Sequence, residues 1–119
     1  MSKELSLLYV EDDSEILENV SFLFSKFVGK VYSAEDGETA LELYKEHKPD
    51  VLVVDINLPK MSGLELAEIV KNDNPSVDVI IISAYNEESH LEKSKEIGVS
   101  SYLKKPFTLK ELKETIAKL

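Results

Sequence analysis

"VLVVDINLP", residues 51–59, is the stretch that decides the fold of this chain. Its four consecutive apolar residues favour a strand that is covered on both faces, as strands of parallel sheets are. The run ends in an acid, Asp55, and a proline-containing loop follows. Because a buried carboxylate is costly without a partner, Asp55 is also the first candidate for a functional residue.

Four further apolar runs flank this stretch and alternate with segments of helical character. The first such segment carries an apolar stripe from Ile16 to Phe27, and Gly29 is a plausible stop after it. "SGLE" and "TLKE" predict capping boxes that begin at Ser62 and Thr108. Strands are predicted at residues 5–10, 31–34, 51–55, 77–83 and 101–104. The alternation predicts an α/β fold whose parallel sheet has helices on both faces.

Length and composition exclude several classes of protein. The chain has 119 residues, so residues 1–119 are expected to form a single domain. It has no cysteine, hence no disulfide framework or thiolate metal site, and no apolar run long enough to span a membrane. A cytoplasmic location follows as an expectation. The net charge of −9 argues against binding to nucleic-acid phosphates and permits a cation site.

Three acids, Glu11, Asp12 and Asp13, end the first apolar run in "LLYVEDDSE", residues 7–15. Ligands of open parallel sheets sit beyond the carboxyl ends of the strands. If the first and third strands are neighbours, Glu11 and Asp12 converge on Asp55, and Mg²⁺ would remove their mutual repulsion. The alternative is that they are acids of a helix N-terminus, favoured by the helix dipole, and this alternative is strongest for Asp13.

Ser83 and Lys105 complete a set of polar residues at this end of the predicted sheet. Ser83 ends the fourth strand in "VIIISAY", and Lys105 ends the fifth in "YLKKPF". Each has an ordinary interpretation, as a turn serine or a solvated lysine. Together with the acids they describe a magnesium site with groups that neutralise a phosphoryl dianion, and Asp55 is the residue that could accept the phosphoryl group.

The ordered motifs "YVEDD", "VDINLPKMSG", "IIISAY" and "YLKKPF" resemble the receiver domain of two-component response regulators, the CheY-like group, over essentially the whole chain. The resemblance implies a flavodoxin-like, doubly wound (βα)5 fold with strand order 2-1-3-4-5. It also implies a phosphorylation-dependent signalling switch, not a turnover enzyme, which accepts a phosphoryl group from a histidine kinase.

The same resemblance assigns roles to the acids. Asp55 looks like the phosphoacceptor. Asp12 would bind Mg²⁺ directly and Glu11 more readily through water. At the position of Glu11 the chain departs from many relatives, which have the shorter aspartate. Asn57 would supply its backbone carbonyl to the metal.

The remaining roles concern the switch. Ser83 stands at the switch hydroxyl position, and small Ala84 beside it leaves space above the acyl phosphate. Lys105 looks like the lysine that pairs with the phosphoryl group, and Tyr102 like the aromatic residue whose rotamer reports activation. Tyr85, two residues after the switch position, is expected to shield the phosphoryl group from water.

The partners implied by the resemblance are a sensor histidine kinase or phosphotransfer protein, and a downstream protein or fused output domain. A homodimer formed on phosphorylation is a further expectation. Direct nucleic-acid binding and membrane binding are not expected. Whether the receiver acts alone or within a longer regulator stays open.

Three rival functions have specific requirements. A phosphohydrolase of the haloacid dehalogenase type needs a second acid two residues after its nucleophile, where this chain has Asn57. A flavodoxin-type electron carrier needs a hydroxyl- and glycine-rich phosphate loop where this chain has "EDDSE". The complete set of site residues argues against a third rival, an interaction module that kept the fold and lost phosphorylation.

Overall fold

The structure is a computed structural model that describes residues 5–83, 88–105 and 107–119, with the side chains of its fourth helix from Lys93 onward. No helix in these ranges is long and apolar enough to cross a membrane. The strands are β1 (Ser6–Val10), β2 (Lys30–Ala34), β3 (Val51–Asp55), β4 (Asp78–Ser83) and β5 (Ser101–Lys104). The helices are α1 (Ser14–Phe24), α2 (Gly37–His47), α3 (Gly63–Asp73), α4 (Glu88–Ile97) and α5 (Leu109–Ala117).

The five strands form one parallel sheet in the order β2-β1-β3-β4-β5. All five residues of the central strand β3 are buried, as the continuous apolar run predicted. The predicted fold, including its strand order, is therefore confirmed. The chain runs outward from β1 to β2 on one side of the sheet and from β3 through β5 on the other. The switch point between β1 and β3 is where such sheets place their ligands.

Two hydrophobic cores cover the two faces of the sheet. Helices α1 and α5 pack on one face, and helices α2 and α3 pack on the other with the end of α4. Successive side chains of a strand point to opposite faces, so alternate residues enter alternate cores. On the α1/α5 face the strands contribute Leu7, Tyr9, Val51, Val53, Ile80, Ile82 and Leu103.

Helices α3 and α5 begin at the side-chain caps that the sequence predicted. The predicted box at α5 is complete: Thr108 Oγ1 accepts from the Glu111 amide at 3.1 Å, and the Thr108 amide donates to Glu111 Oε1 at 2.9 Å. At α3, Ser62 Oγ accepts from the Glu65 amide at 3.1 Å. The described contacts at α3 include only this half of the predicted box.

Helix α1 ends earlier than its apolar stripe suggested. It stops at Phe24, whose carbonyl accepts from the amides of both Phe27 and Val28 in the following turn. The Gly29 amide then donates to the Leu5 carbonyl at 2.9 Å, which directs the chain into β2. Phe27 still packs against the same core from the turn, so the apolar spacing continued past the end of the helix.

Candidate functional site

The carboxyl ends of β1, β3, β4 and β5 form one edge of the sheet, where the sequence predicted the site. Glu11 follows β1, Asp55 ends β3, Ser83 ends β4 and Lys105 follows β5. The Lys105 amide donates to the Ser83 carbonyl at 2.7 Å, which extends the pairing of β4 and β5 by one residue. Because β1 and β3 are neighbours, the condition for convergence of the acids is met.

The Lys105 ammonium lies between two buried carboxylates. Its Nζ donates to Glu11 Oε1 at 3.2 Å and forms an ion pair with Asp55 Oδ2. Glu11 is 2% exposed and Asp55 is 4% exposed, whereas the lysine side chain remains partly accessible to solvent. Two buried negative charges therefore share one positive charge, so the cluster carries a net negative charge.

The electrostatics of the cluster show in the pKa values of its members. Burial raises the pKa of Glu11, and the nearby Asp55 charge raises it further; the Asp13 amide and the Lys105 ammonium act in the opposite direction. Burial alone would lower the pKa of Lys105, but its two carboxylate partners outweigh burial and raise it. The lysine is therefore held in its charged form.

The Asp55 carboxylate has a donor for each oxygen. The Asn57 amide donates to Oδ1 at 2.9 Å, while Lys105 occupies Oδ2. The loop after β3 then packs tightly on the start of α3, where a Cβ added at Gly63 would lie 2.3 Å from the Asp55 carbonyl oxygen. The backbone around Asp55 thus depends on a residue without a side chain at position 63.

Asp12 lies at the outer rim of the site. It is exposed, and it lines a cavity of about 610 Å³ with residues of the loops that follow β2 and β3. The other charged residues that line this cavity are Glu35, Asp36, Glu38 and Lys60. Asp12 is therefore accessible from solvent, in contrast to the two acids that contact Lys105.

A magnesium ion was predicted among these residues, and their chemistry fits one. Carboxylate and carbonyl oxygens are the ligands that Mg²⁺ prefers. Glu11, Asp12 and Asp55 carry three negative charges against one on Lys105, an excess that a divalent cation would balance. Among the described residues no three acidic or histidine side chains are grouped closely enough to hold a metal by themselves, and the lysine ammonium separates Glu11 from Asp55.

Ser83 and Tyr102 belong to the opposite face of the sheet from Glu11, Asp55 and Lys105. Ser83 is fully buried. It lies two residues after Ile81 in β4 and therefore on the same face, the one covered by α3. Tyr102 pairs with Ile81 and packs against that same core, and its hydroxyl is buried without a partner among the described residues. The two predicted switch residues therefore lie on the same face of the neighbouring strands β4 and β5, two positions apart in the strand pairing.

Two residues with predicted roles, Ala84 and Tyr85, lie outside the described residues. Pro106, which follows the site lysine, also lies outside them. The expectations about space above the acceptor and shielding from water stay predictions.

Asp13 lies at the start of α1, as the alternative interpretation of the three acids predicted, and caps the helix by accepting from the amides of Glu15 and Ile16. Sequence reasoning missed the bond from the Asp13 amide to Glu11 Oε2 at 3.2 Å and two further residues that shape the site. Gly63 permits the close approach at Asp55. Tyr9 places a phenol inside β1, and its signal was a polar atom within the otherwise apolar run "LLYV".

Comparison with known proteins gives one consistent result. The sequence profile of the response regulator receiver domain matches residues 7–117. Sporulation initiation phosphotransferase F of Bacillus subtilis is 30% identical over 112 residues, which cover 94% of this chain and 90% of that protein. Transcriptional regulatory protein CrdR of Helicobacter pylori is 36% identical over 117 residues, 98% of this chain. This chain spans about half of that regulator, 54% of its length.

Solved structures share the fold of this chain. The crystal structure of a response regulator receiver domain protein (CheY-like) from Methanospirillum hungatei JF-1 matches with a TM-score of 0.92 and 25% identity. The match covers 97% of this chain and 92% of that one.

Proposed function

The chain belongs to the response regulator receiver domain family, and from that premise we propose that Asp55 is the residue that accepts the phosphoryl group. Receiver domains of two-component response regulators are phosphorylation-dependent signalling switches. The observation that carries the proposal is the environment of Asp55, which is buried, in contact with the Lys105 ammonium and held by the Asn57 amide. A buried acid with these partners is a nucleophile whose added charge can be balanced.

The reaction proposed is transfer from a phosphohistidine of a partner protein. An oxygen of the Asp55 carboxylate forms a bond to phosphorus as the bond from phosphorus to the histidine nitrogen breaks, and the electron pair of that bond returns to the imidazole. Lys105 is in contact with Asp55 at the start and can follow the negative charge onto the phosphoryl oxygens. Transition-state charge is thereby stabilised by a group that is already in position.

Mg²⁺ would be held by Glu11, Asp12, Asp55 and the backbone carbonyl of Asn57. When bound, the metal supplies charge compensation at the phosphoryl oxygens. The solvent-exposed position of Asp12 suits entry of a hydrated ion, which retains several of its waters in such sites.

The conformational response is proposed for the other face of the sheet. The Ser83 hydroxyl would move toward the phosphoryl oxygens and vacate volume near Tyr102, whose side chain could then turn inward. Phosphorylation adds negative charge and strong acceptor oxygens, which a serine hydroxyl at the end of β4 can bind. The surface formed by α4, β5 and α5 would change, and a partner would recognise it.

The proposed partners are a sensor histidine kinase or phosphotransfer protein and a downstream protein or fused output domain, with a homodimer on phosphorylation. Residues 1–119 would act as one receiver domain in the cytoplasm. The net charge of −9 makes direct binding of this domain to nucleic acid unfavourable.

The test is the intact mass of the protein after incubation with acetyl phosphate and Mg²⁺. We expect the mass of one phosphoryl group on the parent protein and on Asp73→Asn, a matched change of an exposed aspartate, and no addition on Asp55→Asn. Addition to Asp55→Asn at the parent level would contradict the proposed acceptor.

A second measurement concerns catalysis. We propose a signalling domain that catalyses only its own phosphotransfer and slow loss of phosphate, because Asn57 cannot protonate a leaving group as the second acid of a phosphohydrolase does. A colorimetric phosphatase assay with Mg²⁺ should show no sustained turnover, and sustained turnover would favour the phosphohydrolase.

A further inference from the structure

Tyr9 carries a buried hydroxyl that the proposed function does not use. The residue is fully buried near the carboxyl end of β1, and its ring meets Phe24 edge-on with 5.5 Å between centroids. No described residue forms a complete hydrogen bond with its hydroxyl. Because a buried unpaired phenol is costly, its presence in β1 needs a physical reason.

The hydroxyl lies beside the acidic site. Tyr9 and Glu11 are two residues apart on the same face of the sheet. Glu11 lies near the phenol but accepts no hydrogen bond from it in this structure. A tyrosine hydroxyl is protonated at neutral pH, so it has a proton to donate to a carboxylate on the same face of the sheet.

Both oxygens of Glu11 already have donors in this structure. Lys105 Nζ donates to Oε1 and the Asp13 amide donates to Oε2, each at 3.2 Å. If Lys105 turns to a phosphoryl group on Asp55, Oε1 loses its partner while Glu11 remains buried. Mg²⁺ held through water would balance the charge of Glu11, but the freed oxygen inside the protein still lacks a hydrogen-bond donor.

We propose that Tyr9 is a positioning residue whose hydroxyl donates a hydrogen bond to the Glu11 carboxylate when Lys105 moves to the phosphoryl group. The inference rests on the proposed function, because it requires Lys105 to leave Glu11. It also gives the longer glutamate side chain a role at position 11, since glutamate carries its carboxylate one methylene further from the backbone than aspartate does.

The test compares two ligands on the parent protein and on Tyr9→Phe by isothermal titration calorimetry. Under the proposal, Mg²⁺ alone leaves Lys105 with its carboxylates, whereas beryllofluoride with Mg²⁺, which mimics the phosphoryl group, should draw the lysine away. We expect Tyr9→Phe to bind beryllofluoride about tenfold more weakly, as loss of a hydrogen bond to a charged group predicts. Binding of Mg²⁺ alone should stay close to the parent value.

The matched control is Tyr44→Phe, which removes another buried phenol, bonded to Asp73 on the opposite face of the sheet. It should bind both ligands as the parent does. In a Glu11→Asp background the effect of Tyr9→Phe on beryllofluoride binding should disappear, because the shorter carboxylate does not reach the phenol. The Tyr9 ¹³Cζ resonance of the labelled parent protein should shift when beryllofluoride binds, and this measurement needs no variant.

Three results would overturn the inference: equal binding of beryllofluoride by Tyr9→Phe and the parent, an equal loss in the Glu11→Asp background, or an unmoved ¹³Cζ resonance. Any of them, with normal binding by the parent, leaves the proposed function intact. Failure of the parent to bind beryllofluoride and to accept a phosphoryl group would instead overturn the proposed function together with this inference.

Discussion

At the scale of single residues, Lys105 determines the charge balance of the site. It contacts Glu11 and Asp55, whose burial makes their mutual repulsion costly, while Lys104 beside it is exposed. Two adjacent lysines therefore have different environments because the strand alternation directs them differently. Removing the charge of Lys105 and, separately, that of Lys104 therefore tests the site against a position just beside it.

Lys105→Ala should lower the free energy of unfolding by about 2 kcal/mol at neutral pH, because two buried carboxylates are left without their cation. Chemical denaturation followed by circular dichroism measures the loss. Lys104→Ala is the matched control and should change the unfolding free energy by less than about 0.5 kcal/mol. Mg²⁺ should restore more stability to Lys105→Ala than to the parent, and equal stabilisation of both would contradict this account of the charge balance.

Gly63 makes a second prediction at this scale. A methyl group at position 63 would meet the backbone of Asp55 at 2.3 Å, whereas at Gly37 it would meet the side-chain sulfur of Met61 at 2.8 Å. Backbone cannot move aside as a flexible side chain can. Gly63→Ala should therefore cost about 2–3 kcal/mol of unfolding free energy, and Gly37→Ala should stay within about 1 kcal/mol of the parent. Denaturant midpoints of the two variants give the comparison, and similar losses would contradict the close approach.

Sequence reasoning located single residues better than their contacts. Asp55, Ser83 and Lys105 were found because each ends or follows a strand, and strand ends share an edge of a parallel sheet. The bridge from Lys105 to Glu11 joins residues 94 positions apart, and its existence depends on side-chain rotamers and strand register together. The close packing at Gly63 depends on backbone positions that no local pattern encodes.

At the scale of elements, local patterns located strands more closely than helix ends. The first and fourth strands begin one residue later than predicted, at Ser6 and Asp78, and the central strand matches its apolar run. The end of α1 was not predictable from its stripe, because Phe27 reaches the same core from a turn. Burial alone therefore does not distinguish a final helical turn from the turn that follows it.

Helices α2 and α3 are joined by a hydrogen bond that should respond to pH. The Tyr44 hydroxyl donates to Asp73 Oδ2 at 2.6 Å, and Lys48 Nζ lies 3.2 Å from the same oxygen. The Tyr44 hydroxyl, and then Lys48, lower the pKa of Asp73. Burial, and then the bond to Asp73, raise the pKa of Tyr44 from 10.0 to about 12. The pair thus favours ionised Asp73 and neutral Tyr44.

The sign of each effect follows from linkage. The lowered pKa of Asp73 adds stability above its ordinary value of 3.8, and this stability is lost as pH falls through the native value. The raised pKa of Tyr44 adds stability below pH 10, which is lost as pH rises toward about 12. Tyr44→Phe should lower Tm by a few degrees at neutral pH and reduce both losses, as thermal unfolding across pH would show. A parent-like profile in this variant would contradict the coupling.

At the scale of the whole molecule, acidic residues outnumber basic ones, 23 to 14, which gives the net charge of −9. The composition permitted a cation site, and the acids at the ends of the predicted strands placed it at one edge of the sheet. The number of acids that face one ion was not predictable, because Lys105 takes two of them and Asp12 lies at the exposed rim. A generally acidic surface and a specific metal site predict different effects of Mg²⁺ on Tm, so an experiment can distinguish them.

If the sheet edge binds Mg²⁺ specifically, the ion should raise Tm beyond the effect of sodium at equal ionic strength. A ligand that binds only the folded state adds about 1.4 kcal/mol for each tenfold rise in its concentration above Kd. Asp55→Asn removes one of the carboxylates and should reduce the increment, whereas Glu114→Gln, which removes an exposed acid of α5, should retain it. Differential scanning fluorimetry over a Mg²⁺ series measures both. Equal increments in the two variants would mean that the ion screens the surface of an acidic molecule and does not occupy this edge of the sheet.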